Sequence, residues 1–163
     1  MNLGELFEMQ RKLDEHIIKE KGLEGQDLLP KKILALQVEL GELANEWQGF
    51  KHWKVNPQPK PKMLEEYVDC LHFILSIGLD IGQENISLGF PSFEIINHKQ
   101  EVIIESFLDV MEATNLMRFD DNYQALLICF FELGYLLGFT WEQIVQAYKA
   151  KNQVNHARQK NGY

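Results

Sequence analysis

Cysteine is scarce in this chain. Only Cys70 and Cys129 occur, far apart in apolar segments, and neither belongs to a CxxC pair. That leaves no disulfide framework and no thiolate metal motif, only two free thiols expected to be buried in a reducing compartment. Positive charge is in deficit as well. Against 24 acidic residues stand 16 lysines and arginines, for a net charge of −8, so the basic footprint that a phosphate backbone requires is missing and nucleic acid is not an expected partner. Long apolar runs are lacking too, because charges interrupt them before they reach membrane-spanning length. The first residues, Met1-Asn-Leu-Gly-Glu-Leu-Phe-Glu, have no basic stretch leading into an apolar core, so no secretory signal is expected. These absences describe a soluble cytoplasmic protein.

Strand-like alternation beyond a few residues is absent, as are internal repeats. What the chain does have is helical periodicity over most of its 163 residues, with 45% apolar content. That content suits one folded all-α domain spanning residues 1–163, a helical bundle with a sizeable core. The spacing of Leu3, Leu6, Phe7, Leu13 and Ile17 predicts a first helix over about 2–21, stopped by Gly22. Gln10 and Asp14 stand four apart on it, and from spacing alone a solvated pair is the default. Pro30 suits the first turn of a second helix that ends near Gly49. An extended loop follows over 50–62, with three prolines, four lysines, His52 and Trp53. Its lysines either solubilise the loop or face an anionic ligand, and spacing does not decide.

Met63 to about Ile81 reads as the best-buried helix. After an irregular stretch over 82–97, a helix is expected over 98–116, then a short turn at Asp120 and Asp121. The mostly apolar segment 122–137 is predicted to be central or to lie at a subunit interface. Thr140 with Gln143 makes a capping box for a last helix running toward Gln159.

Chemistry concentrates on two of these helices. Glu39, Glu42 and Glu46 fall at i, i+3 and i+7, and at ~100° per residue they share one face. Glu65, Glu66, Asp69 and His72 interrupt the apolar helix that follows, where unpaired burial would be costly. Isolated acidic pairs on helices are ordinarily solvated. Two rows on neighbouring apolar helices can enclose a hard cation, and all-oxygen donors favour Mg²⁺ or Mn²⁺ over zinc. Mg²⁺ is commonly held jointly with substrate phosphates, which points to phosphate or pyrophosphate transfer to water. The last helix is complementary: Lys149, Lys151, Arg158 and Lys160 are interleaved with Asn152 and Asn155, and Lys151, Asn155 and Arg158 share a face. Favourable interaction with the helix dipole explains part of that basic clustering.

The pair Glu39-x-x-Glu42 followed by Glu66-x-x-Asp69 resembles the signature of the all-α nucleoside triphosphate pyrophosphatases. Gln10, the Lys51-His-Trp53 loop, His72 and the tail Lys151-Asn-x-x-Asn155-x-x-Arg158-Gln-x-x-Gly162-Tyr163 narrow the resemblance to the dimeric dUTPases of that superfamily. The resemblance implies that Glu39, Glu42, Glu66 and Asp69 hold Mg²⁺, with Mn²⁺ a possible substitute. One glutamate of the first pair, Glu42 in preference to Glu39, would help deprotonate the attacking water. It further implies that Gln10, Trp53 and His72 line the nucleoside pocket, with Trp53 stacking on the base. Lys149, Lys151, Asn155, Arg158 and Tyr163 would contact phosphates. The implied protein is a homodimer that hydrolyses dUTP to dUMP and pyrophosphate. The alternative is a MazG-like pyrophosphatase for other or modified nucleotides, and a different class again is a non-catalytic bundle with solvated carboxylates. A di-iron protein would need Glu-x-x-His pairs from two helices, whereas only Asp69-x-x-His72 is present, so it is set aside.

Overall fold

A computed structural model describes residues 3–86, 88, 99–118 and 122–160. Among them are six helices and no strand: α1 (Leu3–Lys21), α2 (Leu29–Trp47), α3 (Met63–Asp80), α4 (Gln100–Leu116), α5 (Tyr123–Leu136) and α6 (Trp141–Lys160). The architecture is the expected all-α bundle. Helix α3 is its hub, touching α1, α2, α5 and α6, while α4 packs on α5 and α2.

Sequence accounts for most boundaries. Gly22, at φ 61°, takes the left-handed conformation in which its own N–H reaches Lys19 O and Leu23 N–H reaches Ile18 O. That closes α1 with the paired bonds of a Schellman end. Pro30 sits in the first turn of α2. The Thr140–Gln143 box forms in both directions, Gln143 N–H donating to Thr140 Oγ1 and Thr140 N–H to Gln143 Oε1. The end of α2 falls near Gly49 as expected. Helix α2 stops at Trp47, and Gln48 rather than Gly49 adopts the left-handed cap. Gly49 serves another purpose, because the Trp47 ring lies so close over it that any Cβ would overlap the indole.

The core explains why α3 is central. Tyr67, Val68, Cys70, Leu71, Ile74, Leu75 and Ile77 are all fully buried, each large side chain contributing ~1.5–3 kcal/mol of transfer free energy. Helix α5 turns Leu126, Leu127, Phe130, Phe131 and Leu133 into the same core, the central placement expected of it. Cys70 is buried as expected, while Cys129 is only half-buried, and both thiols are free. The expected turn at Asp120 and Asp121 and most of the irregular stretch lie outside the described residues. No single helix among those described is long and apolar enough to cross a membrane.

Candidate active site

Helices α1, α2, α3 and α6 enclose a cavity of about 500 Å³, within the range typical of small-molecule sites. Glu39 and Asp69 line it, Asn155 and Arg158 come from α6, and Gln10, Asp14, Lys31, Lys32, His72 and Ser76 supply the other polar groups. Leu13, Ile17 and Phe73 give it apolar wall.

Beside the cavity, Glu39, Glu42 and Glu66 bring carboxylate oxygens within 4.8 Å of one another. This follows from the helical spacing: Glu39 and Glu42 lie one turn apart on α2, and α3 packs alongside with Glu66 facing them. Their repulsion is visible in the protonation equilibria. Burial, followed by Asp69, Glu42 and Glu66, pushes the Glu39 carboxyl up to about 7. Glu66 is raised by burial and then by Asp69 and Glu42. A cation among these oxygens would relieve that repulsion, and an all-carboxylate set suits a hard divalent ion. The residues therefore fit Mg²⁺ or Mn²⁺.

Asp69, the fourth carboxylate of the signature, is engaged differently. Lys151 of α6 reaches across to within 2.6 Å of Asp69 and 2.8 Å of Glu65. Against the cost of burial, these bonds hold the ammonium above its ordinary value, and Lys151 pulls Glu65 down. The basic row of α6 thus meets the acidic rows at Lys151, with Asn155 and Arg158 following around the cavity. Glu46, the remaining member of the first row, is taken up by Lys60 at 2.7 Å.

Two expected residues stand elsewhere. Trp53 is 64% exposed, edge-on to Phe50 and His52, on a loop whose residues are not among those lining the cavity. The loop is held in place because Gln48 donates to Gln58 O and accepts from Lys54. Trp47 is buried against Phe107. Lys149 points away from Lys151 and pairs with Glu5 on α1 at 2.5 Å. Tyr163 lies outside the described residues.

The solvated reading of Gln10 and Asp14 is overturned. Gln10 is 3% exposed and donates through Nε2 to Asp14 Oδ1 at 2.7 Å. Both residues belong to a polar network on the cavity wall, because α1 packs this face against α3 and α6. Ser76 donates to Asp14 Oδ2 at 2.5 Å, with Lys32 at 3.6 Å, and Tyr148 donates to Gln10 Oε1 at 2.7 Å. Asp14, Ser76 and Lys32 line the cavity and Tyr148 joins their network through Gln10; spacing did not reveal Ser76, Lys32 or Tyr148. A signal did exist for Ser76: it continues the Glu66, Asp69, His72 row one turn further along α3.

A helical domain that sets clustered carboxylates and a basic helix around a nucleoside-sized cavity belongs to the class of all-α nucleotide hydrolases. Within that class the chain is a member of the dUTPase family, whose profile matches residues 2–163. No curated protein matches it.

Proposed function

We propose that this protein hydrolyses dUTP between the α- and β-phosphates in a Mg²⁺-dependent reaction, giving dUMP and pyrophosphate. The observation that carries this is the convergence of Glu39, Glu42 and Glu66 within 4.8 Å beside a cavity that Asn155 and Arg158 also line. Glu39, Glu42, Glu66 and Asp69 would hold the metal. When bound, it neutralises charge on the triphosphate and lowers the pKa of a coordinated water. Glu42 is exposed and its carboxylate belongs to the acidic cluster, so it is the group that would take up the proton of that water. Arg158 and Asn155 bind phosphate oxygens. Lys151 is placed to move from Asp69 to the leaving pyrophosphate as negative charge builds there. Gln10 and His72 orient the nucleoside in the cavity, while Trp53 and Lys149 have no part in the pocket of a single subunit.

The active form proposed is a homodimer of one-domain subunits in the cytoplasm. Leu34 and Val38, exposed four apart on α2, offer apolar surface to a second copy. The free thiols Cys70 and Cys129 suit a reducing compartment.

The test is pyrophosphate release from dUTP, dCTP, dTTP, dATP, dGTP and UTP, with Mg²⁺ and with EDTA. A Mg²⁺-dependent preference for dUTP is expected. Activity spread over several nucleotides would instead identify a MazG-like house-cleaning enzyme. Glu42→Gln should lower turnover by ~100-fold or more with the fold intact, and a fully active variant would remove Glu42 from the mechanism.

A further inference from the structure

His72 is buried on α3, 6% exposed, and stacks on Tyr148 with ring centroids 4.1 Å apart. Its Nδ1 lies 2.7 Å from Gln10 Oε1, while its Nε2 is buried without any hydrogen-bond partner. Orphaned polar atoms of this kind are rare, and His72 is one of the residues lining the cavity, so a ligand bound there is the candidate partner for Nε2.

Which nitrogen bears the proton is decided two residues away. Asp14 receives Ser76 Oγ and Gln10 Nε2 and faces the Lys32 ammonium. Three donors converge on it, so it acts as an acceptor-only carboxylate. The Gln10 amide must then present its NH₂ to Asp14 and its carbonyl to the opposite side. There the carbonyl accepts from Tyr148 OH and meets His72 Nδ1. A carbonyl oxygen can only accept, so Nδ1 carries the hydrogen and Nε2 is left as a bare lone pair. Burial keeps the ring neutral, with its pKa held down to about 3, so the second nitrogen stays unprotonated at ordinary pH.

We propose that Asp14 is a positioning residue that acts through Gln10 to lock His72 in its Nδ1–H tautomer, so that Nε2 accepts a hydrogen bond from the nucleotide. A lone pair at this point selects a ligand N–H or O–H and repels another acceptor. On the nucleotide of the proposed reaction the donor is either the imide N–H of the base or a sugar hydroxyl, which the lock serves equally. The proposal rests on the dUTPase reading only for the identity of that nucleotide, and the tautomer lock stands on the geometry alone.

The experiment is ¹⁵N NMR of histidine-labelled protein without substrate or metal, with the His72 signals assigned by its absence in His72→Phe. The wild type should show a protonated Nδ1 and a bare Nε2. Asp14→Asn can face Gln10 with either end of its amide, so the His72 tautomers should become mixed. Tyr148→Phe leaves Asp14 in command of Gln10 and should keep the single tautomer, which a merely structural role for this cluster would not predict. If Asp14→Asn does not fold, Gln10→Met cuts the same relay at its middle and should also release the tautomer. A wild-type His72 protonated at Nε2, or a tautomer unmoved in the relay variant, would overturn the lock.

Adding dUMP should then shift the Nε2 resonance, and no shift would overturn the acceptor role. Loss of the shift with dCMP assigns the donor to the imide, and loss with 2′,3′-dideoxyuridine monophosphate assigns it to the sugar. In turnover, Asp14→Asn should raise KM for dUTP about tenfold while kcat is largely kept, the effect of one hydrogen bond to the substrate. If dUTP is not a substrate at all, the NMR result is untouched, so the two failures are distinguishable.

Discussion

Lys149 and Lys151 are two residues apart in one basic cluster, yet their environments are unlike. Two positions along a helix is ~200° around it, so the pair faces opposite ways. Lys149 meets Glu5 at the surface, with both side chains about half exposed. Lys151 is 13% exposed and meets Asp69 at 17%, so water screens this pair far less. An exposed ion pair contributes little, whereas removing one partner of a desolvated pair strands the other charge. Lys149→Met should therefore change stability by no more than about 0.5 kcal/mol. Lys151→Met should cost about 1–3 kcal/mol at pH 8, because it strands Asp69 among like charges. Chemical denaturation of both variants measures the difference, and equal effects would refute this account of Lys151. The residue-level chemistry was partly legible in the sequence. Helical spacing alone put Glu39 with Glu42, and Glu66 with Asp69, each pair on one face of its helix. It could not show that Lys151 takes Asp69, or that Gln10 and Asp14 are turned inward, because both depend on which helix packs opposite.

At the level of elements, α3 and α5 are joined by two matching contacts. Tyr67 of α3 lies over Gly134 of α5 and donates to Phe130 O at 3.1 Å. Tyr123 of α5 lies over Gly78 of α3 and donates to Ile74 O at 2.9 Å. In each case the accepting carbonyl lies four residues before the glycine, where the missing side chain opens the groove to a tyrosine ring. A Cβ at either glycine would fall within 2.6 Å of ring atoms, and the rings are buried and hydrogen-bonded, so they have no free space to yield into. Alanine is the better helix former by ~1 kcal/mol. Overpacking at ~1–3 kcal/mol and a lost hydrogen bond of ~1 kcal/mol outweigh it. Gly78→Ala and Gly134→Ala should each destabilise the protein by about 1–3 kcal/mol in urea unfolding. Stabilisation of either, as propensity alone would predict, would dismiss the tyrosine–glycine lock. The helices themselves were legible because period, Pro30, Gly22 and the Thr140–Gln143 box all agree on them. The cross-helix partners were not, since no local pattern marks a glycine as the floor of a neighbour's tyrosine.

For the whole molecule, the acidic centre makes stability depend on pH and metal together. Glu39 has its folded-state pKa at about 7 against an ordinary 4.5, so the folded protein holds that proton more tightly than the unfolded chain. Its stabilising contribution is full below about 4.5 and is lost as pH rises through about 7. His72 has the opposite sign. Its folded value near 3 lies below the ordinary 6.5, so its contribution is present above 6.5 and lost as pH falls toward 3. Comparing Tm with Mg²⁺ and with EDTA at each pH cancels His72, which is neutral at Nε2 in both conditions, and isolates the carboxylates. Metal ligands must be deprotonated, so Mg²⁺ has to displace the Glu39 proton at low pH and meets a ready carboxylate at high pH. The gain in Tm from Mg²⁺ should therefore be small near pH 5.5 and grow through pH 7. At saturating metal it should reach about 5–10 °C by pH 8. Glu39→Gln should flatten that dependence and improve stability in EDTA above pH 7, because it removes a charge the fold accommodates poorly. A metal gain that is already complete at pH 5.5 would mean that Glu39 is not among the ligands.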